Sequence, residues 1–196
     1  MSETFTIRVP DSWQSYDLSG EELADRRAAV LADVDRPEDR VEVNRMFREV
    51  RRLVDETRRR GAVYAAGTIA MHDDGLLVAH LGVFLLRQPR GRRLGLDDLA
   101  RQAERGSSTT TVRRAVSGVR LPHAGYAARI SGVERVPIGP GQHVEMLLVH
   151  TVVPVPDTDR LLLVSCASPN LALADPLGEL FAAIADTVDF PRAQAG

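Results

Sequence analysis

Residues 142–153 (QHVEMLLVHTVV) and 160–168 (RLLLVSCAS) are two apolar runs of strand length. Between them stand Pro154, Pro156, Asp157, Thr158 and Asp159, which pre-set turn backbone and block strand continuation. The pair reads as a β-hairpin. Downstream, Asp175 offers an N-cap carboxylate and Pro176 suits the first helical position, where its missing N–H is not needed. Leu177, Leu180, Phe181, Ile184 and Val188 recur at helical spacing and make one stripe. Burying five such side chains supplies about 7–15 kcal/mol before ordering entropy is subtracted, enough to dock the helix on a sheet.

A second hairpin precedes this one. Gly61 ends a helix, and residues 62–71 and 76–88 flank Asp73, Asp74 and Gly75, where glycine takes the positive φ a tight turn needs. Leu77, Ala79, Leu81, Val83 and Leu85 share one face of the second strand. Leu76, Val78, Phe84 and Leu86 share the other, interrupted only by His80 and Gly82. The 142–153 strand is likewise apolar on both faces. A half-solvated antiparallel sheet alternates apolar and polar residues, so these central strands need helices on both sides, or helices on one side and a ligand on the other. A strand that opens over residues 107–111 and runs to about 120, and its return over 126–136, carry Arg113, Arg114, Arg129, Glu134 and Arg135 and read as peripheral and partly wet.

At the front, residues 5–9 read as a short strand stopped by Pro10, and Trp13 as a core anchor. Ser19 with Glu22 forms a capping-box pattern ahead of a first helix, and Pro37 starts a second. Along that second helix Val43, Met46, Phe47, Val50, Leu53, Val54 and Thr57 form an apolar stripe beside an arginine-rich surface. Glu49–Arg52, Asp55–Arg59 and Glu56–Arg60 are spaced for surface pairing. A short helix is expected over 96–105, after a loop carrying Arg87, Arg90, Arg92 and Arg93. The 1–196 chain reads as a single domain of α+β class: an antiparallel sheet of six to seven strands packed with helices.

Composition narrows the chemistry. The 25 basic and 27 acidic residues give a net charge of −2, with no bias toward nucleic acid or an anionic membrane. Every basic residue counted is Arg, which excludes a Walker, Schiff-base or general-base lysine supplied by this chain. Cys166 is the single cysteine, so there is no intrachain disulfide and no thiolate metal cluster. It sits in an apolar strand, where burial makes a thiol inert. His143 and His150 differ by an odd number along one strand and fall on opposite faces, so they cannot chelate together. No cofactor and no metal are expected. No segment approaches the roughly 20 apolar residues of a membrane span, and MSETFTIRVP has neither a basic nor an apolar leader region, so a cytoplasmic location is expected.

The order of elements, with residues 5–13 (FTIRVPDSW) at the front and 184–190 (IADTVDF) at the back, resembles the PsbP-like fold. Its bacterial branch includes DcrB- and LpqN-type proteins and the Eag chaperones that hold hydrophobic segments of secreted effectors. The resemblance implies a PsbP-like sandwich and binding without catalysis. The chain lacks the lipoprotein cysteine of LpqN-like members, which directs the expectation to adaptor-like ones. The expected role is therefore a non-enzymatic adaptor or chaperone in bacterial protein secretion, with a protein or hydrophobic peptide segment as partner. Val78, His80, Gly82, Phe84, Val149 and Thr151 are the expected partner-binding residues, because small and polar positions among large apolar ones leave concavities with hydrogen-bonding handles. A homodimer burying one sheet face is the first alternative and a small-molecule enzyme the second.

Overall fold

A computed structural model describes residues 5–19, 21–32, 36–72, 75–88, 111–139 and 141–191. Seven antiparallel strands form one sheet: β1 (Gln14–Ser15), β2 (Ala62–His72), β3 (Gly75–Arg87), β4 (Thr111–Leu121), β5 (Gly125–Gly139), β6 (Gln142–Pro154) and β7 (Arg160–Ser168). Their spatial order is β1-β2-β3-β7-β6-β5-β4. The two hairpins read from the sequence therefore meet at a β3–β7 seam, where Val83 faces Val164 and His80 faces Ala167. α1 (Glu21–Ala32) and α2 (Pro37–Arg59) lie between β1 and β2, and α3 (Ala174–Asp186) follows β7. The short helix expected over 96–105, Arg90, Arg92 and Arg93 of the expected loop, and residues 107–110 of the expected strand fall outside the described residues, while Arg87 ends β3.

The two faces differ in what covers them. On the first, α3 lays Leu177, Phe181 and Ile184 over Leu81, Val83, Leu147, Val149, Val153, Leu162 and Val164. Trp13 anchors this core as expected, 8% exposed and edge-on to the Phe181 ring at 6.4 Å. Phe5, Ile7 and Val9 pack on the same core, but Thr6 makes only an isolated bridge with Asp189. The strand expected over 5–9 is thus an extended strip. The two-residue strand at Gln14–Ser15 takes the sheet edge instead, with the Tyr16 N–H bonded to the Ala65 carbonyl at 2.9 Å. The front and back segments that carry the resemblance meet here: Thr6 N–H donates to the Asp189 carbonyl at 2.9 Å and Asp189 N–H returns to Thr6 at 3.1 Å.

Local chemistry sets the element ends. α1 is capped from upstream: the Asp17 carboxylate accepts the Glu22 N–H at 2.8 Å, and Ser19 Oγ accepts the Glu21 N–H at 3.1 Å. Gly61 ends α2 at φ +91°, and a β-carbon there would meet the Leu85 carbonyl oxygen at 2.8 Å, so both conformation and space demand glycine. Asp55 pairs with Arg58 at 3.8 Å rather than with Arg59. Asp175 does not cap α3; a 3-10 turn at Leu171–Leu173 leads in, and Asp175 and Pro176 lie in the first turn. Both residues still suit that turn, where a carboxylate meets the helix dipole and a missing N–H costs nothing.

Candidate functional site

Across the sheet from α3 lies the second face, built from the even-numbered residues of β3 and β6 and the odd-numbered ones of β7. On β3 it presents Leu76, Val78, His80, Gly82, Phe84 and Leu86 in sequence. Leu76 is 49% exposed, His80 is exposed, and Val78, Gly82 and Phe84 are half-buried. Two aromatic side chains occupy the space over its glycines: a β-carbon at Gly82 would come within 2.9 Å of Phe84 Cε2, and one at Gly67 on the neighbouring β2 would collide with the Tyr16 hydroxyl. His80 pairs directly with Gly67 and stands two positions before Gly82, which brackets it between Tyr16 and Phe84. The concavities expected at the small residues are thus filled by the protein's own aromatics. What remains accessible is an apolar strip with an imidazole at its middle.

The six expected binding residues do not form one patch. Val78, His80, Gly82 and Phe84 share the second face, whereas Val149 and Thr151 point to the first and are 3% and 1% exposed. Val149 belongs to the core under α3. Thr151 Oγ1 accepts a hydrogen bond from Arg129 Nε at 3.2 Å, and Arg129 Nη2 donates to Asp186 on α3 at 2.6 Å. The expected platform is corrected accordingly: Val149 and Thr151 hold the helix. Arg129, read from the sequence as a wet peripheral residue, has a side chain only 16% exposed and ties β5 to the end of α3.

A backbone clamp fixes the start of the strip. Asn170 lies just past β7, and its side chain continues the ladder: Oδ1 accepts the Val78 N–H at 2.8 Å and Nδ2 donates to the Leu76 carbonyl at 2.7 Å. Ser168 Oγ donates to the Val78 carbonyl at 2.7 Å and accepts the Asn170 N–H at 3.1 Å. Every backbone polar group of Val78 is thereby satisfied, which leaves its side chain as the accessible feature. Nothing in the sequence pattern singles out Asn170 beyond its place after a strand-ending serine and proline.

The titratable groups are arranged for packing. Cys166 is 1% exposed, and burial pushes its thiol up to about 12. His143 and His150 fall on opposite faces of β6, paired with Pro137 and Ile130 respectively. Burial holds the His150 imidazole below its ordinary value, with Arg114 acting in the same direction and Glu134 against it. Its Nδ1 is buried without a hydrogen-bond partner. No group of three or more metal-ligating side chains occurs among the described residues, and no described helix is long and apolar enough to cross a membrane. Neither a protein-family model nor a curated protein matches the chain.

Proposed function

We propose that this chain is a non-enzymatic binding protein that holds an apolar segment of a partner protein on the Leu76–Leu86 strip. In this reading it serves as a cytoplasmic adaptor or chaperone for a secreted protein, as the resemblance to the PsbP-like chaperones implies. The observation that supports it is the strip itself: Leu76, Val78 and Phe84 keep accessible apolar surface around an exposed His80, on a face that α3 does not cover. Apolar positions at every second residue, with one polar handle, suit an extended or helical apolar segment whose affinity comes from burial and whose register comes from the imidazole. Binding is favoured over catalysis because the one thiol is sealed in the core.

A photo-crosslinking amino acid at position 78 or 84 tests this in the host cell. Capture of one partner from both positions, lost on introducing Val78→Glu and absent when the crosslinker stands at exposed Leu173, supports the proposal. No capture from either position, or equal capture from 173, overturns it. Capture of a second copy of the chain, with light scattering reporting a dimer, selects the homodimer reading instead.

A further inference from the structure

The Leu76–Leu86 strip uses none of the arginine-rich surface of α2. α1 and α2 form an antiparallel hairpin: Arg27 Nε donates to Asn44 Oδ1 at 2.7 Å, and further along α1 the Leu31 carbonyl accepts from Nη1 of the earlier Arg40 at 2.8 Å. The second bond satisfies a carbonyl in the last turn of α1, which has no partner within its own helix. Asn44 is itself held, its Nδ2 donating to the Arg40 carbonyl at 2.7 Å. Between the two helices lies a groove of about 490 Å³, with Leu23, Ala24 and Phe47 among its lining residues.

Two properties set this groove apart. It is open to solvent: Val41 in its lining is 66% exposed and Arg27, Arg48 and Arg51 are exposed, whereas Leu23 and Phe47 are half-buried. It is also of one sign. Among the described residues no carboxylate lines it, and the ion pairs do not include Arg27, Arg48 or Arg51. In a chain of net charge −2, three cations gathered in one groove are a local feature and not a reflection of composition. A surface that only faces solvent interleaves the two signs, as Asp55 and Arg58 do at 3.8 Å further along α2.

We propose that the α1–α2 groove docks an acidic amphipathic helix of a partner protein, whose apolar side chains cover Leu23, Val41 and Phe47 and whose carboxylates meet Arg27, Arg48 and Arg51. Charge complementarity sets the sign of the occupant, and the lining sets its form. Val41, Asn44, Arg48 and Arg51 follow one another at helical steps of three and four, so they share one face of α2 over about 15 Å, the length of about ten helical residues. A helix laid in such a groove presents its own stripe at the same spacing. Apolar contact supplies the affinity, and the exposed guanidinium pairs supply orientation and a salt-dependent rate of association. A free small ligand fits less well, because sites for such ligands enclose most of the molecule they bind. This inference goes beyond the proposed function and does not rest on it: the strip takes an apolar segment, and the groove a charged one.

A fluorescein-labelled helical peptide with Leu and Glu along one face tests it in anisotropy titrations of the whole chain. Saturable binding is expected, weakened about tenfold when NaCl is raised from about 50 to about 300 mM and about tenfold by Arg48→Glu combined with Arg51→Glu. Val41→Asp should weaken it as well, whereas Arg58→Glu, outside the groove, should leave it unchanged. These positions are all exposed, so the variants are expected to keep the native circular dichroism spectrum. No saturable binding, equal binding of a peptide with Gln in place of Glu, or an affinity untouched by the double reversal overturns the proposal. Binding to phosphatidylglycerol vesicles and not to the peptide makes the occupant a membrane surface and overturns it too. Val78→Glu is expected to leave the peptide's affinity unchanged. A loss there would put the peptide on the strip and overturn the groove alone, so the two proposals fail separately.

Discussion

Single side chains in this protein are placed by burial more than by chemistry, and Cys166 is the plainest case. Its thiol, pushed up to about 12 and 1% exposed, is expected to resist iodoacetamide at pH 8 in the folded protein and to react fully in denaturant. His150 gives a pH signature. Its folded-state value is held below the ordinary 6.5, so between those two values the unfolded chain binds a proton that the folded chain refuses. Stability is expected to fall as pH drops below about 6.5, seen as a decreasing Tm, and His150→Leu should reduce that slope without abolishing it, because burial lowers the His80 imidazole as well. The substitution also removes a buried, unpartnered Nδ1, so no loss of Tm is expected at pH 7.5. Asn170→Ala leaves the Val78 N–H and the Leu76 carbonyl without partners and is expected to cost about 1–3 kcal/mol in urea unfolding. Asn170→Asp, which keeps the acceptor and loses the donor, should fall between the two.

Among the elements, α3 carries the clearest energetic division. Phe181 is fully buried against Trp13, whereas Leu180, read from the same stripe, is only half-buried. Phe181→Ala is expected to cost about 3–5 kcal/mol and Leu180→Ala distinctly less, measured by chemical denaturation. The strands of both hairpins were legible in the sequence because apolar runs there end at Pro, Gly and Asp clusters. The 160–168 strand has the same limits in the structure as in the sequence. β1 was not, since Gln14 and Ser15 are polar and their pairing depends on where Trp13 anchors the chain. Asp175 misled because its chemistry suits either the cap or the first turn, and only the path out of β7 chooses between them. For the site, alternation alone correctly divided β3 into two faces. It could not say which half of β6 shares a face with which half of β3. That depends on register through β7, where Ala167 sits between His80 and Leu148, so even positions of β6 join even positions of β3. Val149 and Thr151 fell on the other side for this reason.

At the scale of the whole molecule, the β3–β7 seam is the strand pairing most distant in sequence. β2–β3 and the β4-to-β7 meander each pair neighbours in sequence, but the seam brings together positions 73 to 87 residues apart, from Arg87 with Arg160 to His80 with Ala167. Loop closure on that scale precedes any gain from the shared core. Refolding is expected on the millisecond-to-second scale typical of sheet proteins rich in distant pairings, followed by stopped-flow circular dichroism. A microsecond phase carrying the whole signal would contradict the topology. α1 is packed on α2, and most described positions of α1 are exposed. Limited proteolysis is accordingly expected to cut first within α1, leaving the sheet intact.

Trp13 is the chain's one indole, and it stands where the incoming strip, the sheet and the C-terminal helix touch. Its emission is therefore a built-in optical gauge of a single junction. A blue-shifted spectrum signals that junction closed, and a red shift without change in sheet content marks its opening alone.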